Sequence, residues 1–173
     1  MPEASRSDEL DAMRQSAYSP GDSSSLRELR AEGRKTARER ILLLLDPKSF
    51  VEVDAFVQHR AGDHNMHLHR PLGDGVVAGH GMIDGRRVVC FAQDYSVFSG
   101  SMGEMHAKKV AKIAEFAEKS QLPLIGIWDG DGQRVEEGVT SLGATGELLD
   151  ILVACSGTVS YTHLRAHETY VHL

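Results

Sequence analysis

Apolar and polar residues alternate in several short stretches of the chain, which predicts strands. Residues 49–57 alternate in this way, and residues 75–81 and 87–92 flank the pair Asp84-Gly85. Asp-Gly suits the type I′ turn of a two-residue hairpin. Residues 124–128 form an apolar run that stops in a turn rich in glycine and charge. We therefore expect a sheet that contains a hairpin and a buried strand.

Helical periodicity predicts three helices. The first covers residues 25–45, begins with a capping box at Ser25 and Glu28, and ends at Asp46-Pro47. A second capping box, Ser101 to Glu104, starts a helix that runs to residue 119, and residues 139–153 form the third. The second helix is amphipathic because its apolar residues repeat at i, i+3, i+4 and i+7: Val110, Ile113, Ala114 and Ala117.

The order strand, helix, strand between residues 88 and 128 implies a parallel crossover. Folds of this kind bind ligands at the carboxyl ends of their strands. The loop before the second helix offers Gly100, Ser101 and Gly103 for close backbone approach, and the helix N-terminus offers unpaired amides to an anion or a carbonyl oxygen. A glycine-rich connection that binds nothing is the alternative.

The loop Asp129-Gly130-Asp131-Gly132 lies at the end of the buried strand. Its carboxylates could bind a metal ion, but no third oxygen ligand lies nearby in the sequence. Its backbone could instead present N–H groups, with Gly132 foremost, to a developing oxyanion. Arg134, beside Glu136 and Glu137, has a structural ion pair as its simplest interpretation.

The remaining charged and histidine-rich stretches give weaker signals. A basic face formed by Arg34, Lys35, Arg38 and Arg40 is either solvated or an anion contact. Histidines at 59, 64, 67 and 69 match no zinc-binding spacing, so we predict no metal site. No arrangement for nucleophilic catalysis can be inferred from residue order.

Composition and charge limit the class of protein. The chain has 173 residues, 41% of them hydrophobic, which suits one globular core. Its net charge of −6 gives no support to nucleic-acid binding, and its longest apolar run, residues 41–45, is far too short to cross a membrane. Cys90 and Cys155 lie in apolar surroundings, which predicts buried reduced thiols. With no signal-peptide pattern, we expect a cytoplasmic protein.

Six collinear motifs resemble the carboxyltransferase (β) subunit of biotin-dependent acyl-CoA carboxylases, most closely the propionyl-CoA carboxylase type. They extend over residues 25–157, and several motifs in order are more specific than any one alone. The motifs are GRKTARERI (33–41), LLDPKSF (44–50), GDGVV (73–77) with GHG (79–81), FAQD (91–94), GSMGE (100–104) and GVTSLG (138–143).

The resemblance implies a fold, an activity and partners. The fold would be α/β and crotonase-like (ClpP/crotonase), a truncated carboxyltransferase N-terminal domain. The activity would be transfer of CO2 from carboxybiotin to the α-carbon of a short-chain acyl-CoA, with biotin carried on a separate subunit or domain and no metal bound here. The partners would be acyl-CoA, a biotin carboxylase or biotin carrier subunit, and further copies in a hexamer.

The resemblance also implies site residues. Phe98, Gly100, Ser101, Gly103 and Arg134 would bind substrate, and the backbone of Gly132 would be catalytic. The family pattern Asp-Ser-Gly-Gly-Ala-Arg-Ile-Gln-Glu-Gly falls on residues 129–138, from which this chain departs at three sensitive positions, namely Gly130, Asp131 and Gln133. Asp131 would add a negative charge to an oxyanion loop, so either it points away or activity is altered.

The chain departs from the family most at its end. Residues 158–173 resemble translated sequencing-adapter sequence, and we expect them to form a non-native tail. Residues 25–157 would form a partial domain. Residues 1–24 are polar, and we expect a loose tail there. We expect the truncated chain to be inactive alone. Two other functions stay open, the α-subunit of a biotin-dependent sodium-pumping acyl-CoA decarboxylase and a non-catalytic acyl-CoA-binding module.

Overall fold

A computed structural model describes residues 6–157 and the backbone of residues 161–165. The described strands form one five-stranded sheet in the order β1-β2-β3-β4-β5. The helices are α1 Arg6–Tyr18, α2 Ser23–Ala31, α3 Ala37–Leu44, α4 Glu104–Ser120 and α5 Val139–Cys155. The strands are β1 Val51–Glu52, β2 Val76–Ile83, β3 Arg86–Gln93, β4 Leu124–Trp128 and β5 Tyr161–Arg165.

The predicted hairpin is confirmed. Strands β2 and β3 pair antiparallel from Val76 opposite Gln93 to Ile83 opposite Arg86. The turn residues Asp84 and Gly85 have φ of 50° and 74°. Both central residues of a type I′ turn need positive φ, and Asp-Gly accepts it at low cost.

The predicted parallel crossover is also confirmed. Strand β4 lies parallel to β3, with α4 as the connection, and β5 lies parallel to β4 after α5. The carboxyl ends of β3 and β4 therefore lie at the same edge of the sheet. Strand β5 falls within residues 158–173, which we expected to be foreign to the fold; residues 158–160 and 166–173 lie outside the described residues.

Each face of the sheet has its own apolar core. Helices α4 and α5 cover one face, where Val110, Ile113, Ala114 and Ala117 are at most 2% exposed, as their spacing predicts. Helix α3 covers the other face, with Ile41 fully buried against β2, β3 and β4. The sheet is therefore buried between helices on both faces.

Three predictions about the first half of the chain need correction. Residues 6–18 of the expected loose tail form α1, and the strand expected over 49–57 is only β1. The helix expected over 25–45 is two helices, because Gly33 takes φ of 72° and a capping box of Thr36 with Glu39 starts α3. No helix of the described residues is long and apolar enough to cross a membrane.

Candidate active site

Two loops meet at the carboxyl ends of β3 and β4. They are residues 94–103, called the β3–α4 loop, and residues 129–138, called the β4–α5 loop. A Cβ atom on Gly100 would lie 2.2 Å from the Asp129 carbonyl oxygen, and one on Gly130 would lie 2.2 Å from the Gly100 carbonyl oxygen. Only glycine fits at either position, so the two backbones touch.

Backbone hydrogen bonds join the same two loops further along. The Met102 N–H donates to the Gly132 carbonyl at 2.8 Å, and the Arg134 N–H donates to the Met102 carbonyl at 3.0 Å. The Asp131 N–H donates to the Ser99 carbonyl at 3.1 Å. Phe98, Ser99 and Gly100 have φ of 48°, 51° and 64° in succession, a left-handed turn that brings Ser99 and Gly100 to the β4–α5 loop.

Between these contacts, residues Gly130 to Gly132 are exposed. Gly132 has φ of +100°, and its carbonyl oxygen already accepts a hydrogen bond from the Met102 N–H. Within residues 6–157, neither the Gly130 N–H nor the Gly132 N–H has an acceptor. The loop thus presents backbone donors to solvent, the arrangement that can stabilise an oxyanion.

Asp131 has its own partner beside these donors. Its carboxylate accepts a hydrogen bond from the Tyr95 hydroxyl at 3.2 Å. The Tyr95 ring in turn lies under the Arg34 guanidinium, whose carbon is 4.0 Å from the ring centroid.

Asp129 fixes the start of the β4–α5 loop, in what we call the first anchor. Its carboxylate binds Arg34 Nη2 at 2.5 Å and Arg40 Nη1 at 2.9 Å. Burial lowers the pKa of Arg40, against the attraction of Asp129 and Asp94. Arg38 binds Glu52 at 2.7 Å. The three arginines of the basic face that was predicted to be solvated or anion-binding are thus paired with carboxylates of the chain.

Arg134 fixes the other end of the loop, in what we call the second anchor. Its Nη1 binds Asp74 at 2.5 Å and Glu137 at 2.9 Å, and its Nη2 donates to the Ser101 carbonyl at 2.9 Å. The exposed fractions of the three charged side chains are 1% for Arg134, 0% for Asp74 and 3% for Glu137. Burial raises the pKa of Asp74, while the Arg134 charge opposes that rise.

The same carboxylates occupy the N-terminus of α4, which corrects the prediction of unpaired amides there. The Glu104 N–H donates to Glu137 Oε2 at 2.6 Å, and the His106 N–H donates to Asp74 Oδ2 at 2.9 Å. The helix begins after Gly103 without a side-chain cap from its own sequence, so the predicted Ser101 capping box is wrong. Two carboxylates already satisfy this helix end, so its Glu104 and His106 amides are not available to a ligand.

Residues 28–163 match the family described as the carboxyl transferase domain. The chain belongs to this family. The match passes the expected boundary at Gly157 and ends inside β5. The predicted family resemblance and the crotonase-like α/β fold are confirmed.

Relatives of this carboxyl transferase domain include carboxylase and decarboxylase subunits. The chain is 46% identical over 151 residues to the "biotin-dependent acetyl-/propionyl-coenzyme A carboxylase beta5 subunit" of Mycobacterium tuberculosis H37Rv, covering 87% of this chain and 28% of the relative. It is 44% identical over 129 residues to the "methylmalonyl-CoA decarboxylase subunit alpha" of Veillonella parvula, covering 75% of this chain and 25% of the relative.

A solved relative gives the same picture in three dimensions. The transcarboxylase 12S hexamer, solved with methylmalonyl-coenzyme A and methylmalonic acid bound, superimposes with a TM-score of 0.91 at 36% identity. The alignment covers 96% of this chain and 32% of the transcarboxylase chain. This carboxyl transferase domain thus spans about a third or less of the length of each of these relatives.

The residues predicted to bind substrate lie together in this carboxyl transferase domain, but not all at its surface. Phe98 and Ser101 are half-buried, whereas Gly100, Gly103 and Arg134 are buried. The Arg134 guanidinium packs over the Phe98 ring, 4.6 Å from its centroid. Arg134 therefore supports the loops from behind through the ion pair with Glu137 that its structural interpretation predicted. Its contact with substrate stays a prediction.

Sequence reasoning did not identify the polar residues beneath the loops of this carboxyl transferase domain. Asp74, Gln93 and His106 are at most 4% exposed, and Glu137 lies beside them. Asp74 lies between two glycines just before β2. This placement of a charged residue was the sequence signal that could have pointed to a structural role for Asp74. No group of three or more metal-ligating side chains occurs in the described part of the chain. Cys90 and Cys155 are buried, as predicted, and no disulfide joins them.

Proposed function

We propose that this chain forms one wall of the carboxyltransferase site of a biotin-dependent acyl-CoA carboxylase. The reaction transfers CO2 from carboxybiotin to the α-carbon of a short-chain acyl-CoA such as propionyl-CoA. The observation that carries the proposal is the exposed β4–α5 loop, in which Gly132 presents an N–H without an acceptor among the described residues. The carboxylase, decarboxylase and transcarboxylase names of the relatives support the substrate class.

The residues of this loop fit the chemistry that the reaction needs. Removal of the α-proton of a thioester places negative charge on its carbonyl oxygen. A backbone N–H aimed at that oxygen stabilises the charge, by about 3–4 kcal/mol for a well-placed donor. We assign this role to Gly132, with Phe98, Gly100, Ser101 and Gly103 shaping the β3–α4 loop on which the acyl-CoA would rest.

We propose that biotin reaches this site as a group carried by another subunit or domain. Carboxybiotin supplies CO2 and, after losing it, a base for the α-proton, so the chain itself needs no titratable residue at Gly130 or Gly132. The Asp131 carboxylate is held by Tyr95. We propose a biotin carboxylase or biotin carrier subunit as the partner, and a homo-hexamer as the assembly, by analogy with the transcarboxylase hexamer.

Gly132→Ala in the full-length protein tests the role of the loop. The new Cβ meets nothing within 4 Å, but φ of +100° disfavours it, so the peptide at Gly132 should rotate. We expect kcat for carboxyl transfer to fall by about 100-fold with a smaller change in KM. Gly85→Ala is the control, because it combines φ of +74° with open space at the hairpin turn. Equal kcat in the two variants would reject the role of Gly132.

A decarboxylase α-subunit is a second candidate, because the Veillonella relative is 44% identical, close to the 46% of the carboxylase subunit. Decarboxylation of malonyl-CoA or methylmalonyl-CoA that depends on sodium ions and a membrane partner would favour it. A non-catalytic acyl-CoA-binding module is the third. Calorimetry with CoA esters, run beside turnover assays on the full-length protein, distinguishes binding alone from catalysis. The same assays on this chain test whether it is inactive alone.

A further inference from the structure

A buried polar chain runs beneath the β4–α5 loop and links its two anchors. His106 Nδ1 lies 3.1 Å from the Asp74 carbonyl oxygen, and His106 Nε2 lies 3.4 Å from Gln93 Nε2. Gln93 Oε1 accepts the Asp129 N–H at 2.8 Å. His106 is 0% exposed and Gln93 is 4% exposed, so water does not compete for these bonds.

The groups at the two ends of this buried polar chain, the Asp74 carbonyl and the Asp129 N–H, determine which atom donates in each of its hydrogen bonds. A carbonyl oxygen only accepts, so His106 Nδ1 must carry the proton that binds Asp74. His106 Nε2 is then an acceptor for the Gln93 NH2 group, which turns Gln93 Oε1 toward the Asp129 N–H. Burial lowers the pKa of His106 to about 3, so its imidazole is neutral at physiological pH.

Gln93 also contacts the loop directly. Its Oε1 would lie 3.1 Å from a Cβ on Gly130, so the amide packs against the backbone of the exposed segment. Its own carbonyl accepts from Arg40 Nη2 at 2.6 Å, which ties it to the first anchor. An inverted Gln93 amide would place its NH2 group against the Asp129 N–H, two donors facing each other, and the loop would have to move.

We infer that His106 and Gln93 are positioning residues, which set the orientation of the Asp129 peptide and hence of the exposed Gly130 to Gly132 donors. Both residues are buried beneath the proposed substrate surface, so neither is exposed to the substrate. The inference concerns the same site as the proposed carboxyltransferase function and rests on it for its catalytic consequence. The structural part of the inference stands on the hydrogen bonds alone.

Two substitutions of His106 separate hydrogen bonding from bulk. A glutamine amide reaches the position of Nε2, so His106→Gln keeps an acceptor for Gln93. An asparagine amide reaches only the position of Nδ1, so His106→Asn keeps the bond to Asp74 and loses the one to Gln93. Gln93→Met removes both groups of the amide at similar volume. His80→Asn is the matched control, because His80 on β2 contacts Phe116, outside this polar chain.

The first measurement uses this chain and needs no activity. A proton–nitrogen NMR spectrum of the wild-type imidazoles should show His106 as the neutral Nδ1–H tautomer. Hydrogen exchange of the Asp129 amide should accelerate by about tenfold in His106→Asn and Gln93→Met, as expected for one lost hydrogen bond, and stay near wild type in His106→Gln and His80→Asn. An Nε2–H or charged wild-type imidazole, or unchanged exchange in both test variants, overturns the inference.

The second measurement is carboxyl transfer by the full-length protein with its biotin carrier. We expect kcat to fall by about tenfold in His106→Asn and Gln93→Met, with KM for acyl-CoA nearly unchanged and kcat restored in His106→Gln. Equal losses in His106→Asn and His106→Gln overturn the positioning role. Absence of carboxyl transfer by the wild type rejects the proposed function, and the exchange measurement then decides the inference by itself.

Discussion

The two anchors of the β4–α5 loop use the same kind of ion pair in different surroundings. In the first anchor the exposed fractions of the side chains are 25% for Arg34, 18% for Arg40 and 4% for Asp129. In the second anchor Arg134 is 1% exposed and lies between two carboxylates that are at most 3% exposed. The first anchor is therefore partly screened by solvent and the second is not.

This difference assigns distinct roles to the two ends of the loop. An exposed ion pair contributes about 0–1 kcal/mol, whereas breaking a buried one costs about 3–5 kcal/mol because a charge is left without its partner. The second anchor also closes the N-terminus of α4 through Asp74 and Glu137. We infer that the second anchor determines whether the site forms, and the first adjusts how the loop is held.

Arg134→Met should have the largest effect. It leaves Asp74 and Glu137 buried without their cation, and we expect the free energy of unfolding to fall by about 3–5 kcal/mol. Urea denaturation measures this loss. Lys112→Met is the control, since Lys112 binds Asp54 in an exposed pair and should lose less than about 1 kcal/mol. Similar losses in the two variants would contradict the distinction between buried and exposed pairs.

Gly100→Ala should have the next largest effect, because it separates the two loops. The added Cβ would lie 2.2 Å from the Asp129 carbonyl oxygen, at a residue with φ of +64°. Overpacking and backbone strain together predict a loss of about 2–4 kcal/mol in the free energy of unfolding. Gly33→Ala tests strain alone, since φ there is +72° and no atom lies within 4 Å. A loss no larger than that of Gly33→Ala would show that the loops can part freely.

Acidification should weaken the link between the anchors through His106. The pKa of His106 is about 3 in the folded chain, below the ordinary histidine value of 6.5. Between pH 3 and pH 6.5 the unfolded state therefore binds a proton at His106 that the folded state does not bind. Stability therefore rises with pH across this window and is lost as pH falls below about 6.5, by about 2 kcal/mol at pH near 5. His106→Gln removes this contribution. Denaturation curves of wild type and variant that shift equally between about pH 7 and 5 would refute it.

The sheet and the main helices could be predicted because their signals are local. The Asp84-Gly85 turn and the stripe from Val110 to Ala117 are each encoded within a few residues. The second anchor could not be predicted this way, because Asp74 and Arg134 are 60 positions apart. The sequence indicated only the Arg134–Glu137 pair of this anchor, whose members are three positions apart.

Competition between possible partners explains the wrong cap. Ser101 and Glu104 match a capping box, but the Glu104 N–H binds Glu137 instead, 33 positions away. The Ser101 hydroxyl faces Arg134 Nε at 3.4 Å. The motif is compatible with either arrangement, and the folded position of the β4–α5 loop decides between them. The exposed glycines were identified correctly from sequence as a loop at a strand end, since a strand that stops at Asp129-Gly130 has few other outcomes.

Arg34→Gln should have the smallest effect and gives the sharpest comparison. Arg40 still pairs with Asp129, so we expect a loss of less than about 1 kcal/mol at low salt. At about 1 M salt the screening length falls to about 3 Å, and the difference between wild type and Arg34→Gln should disappear. The loss caused by Arg134→Met should persist, because ions do not reach a guanidinium that is 1% exposed. Urea denaturation of all three proteins at both salt concentrations tests this, and equal salt sensitivity of the two variants would mean that burial does not distinguish the anchors.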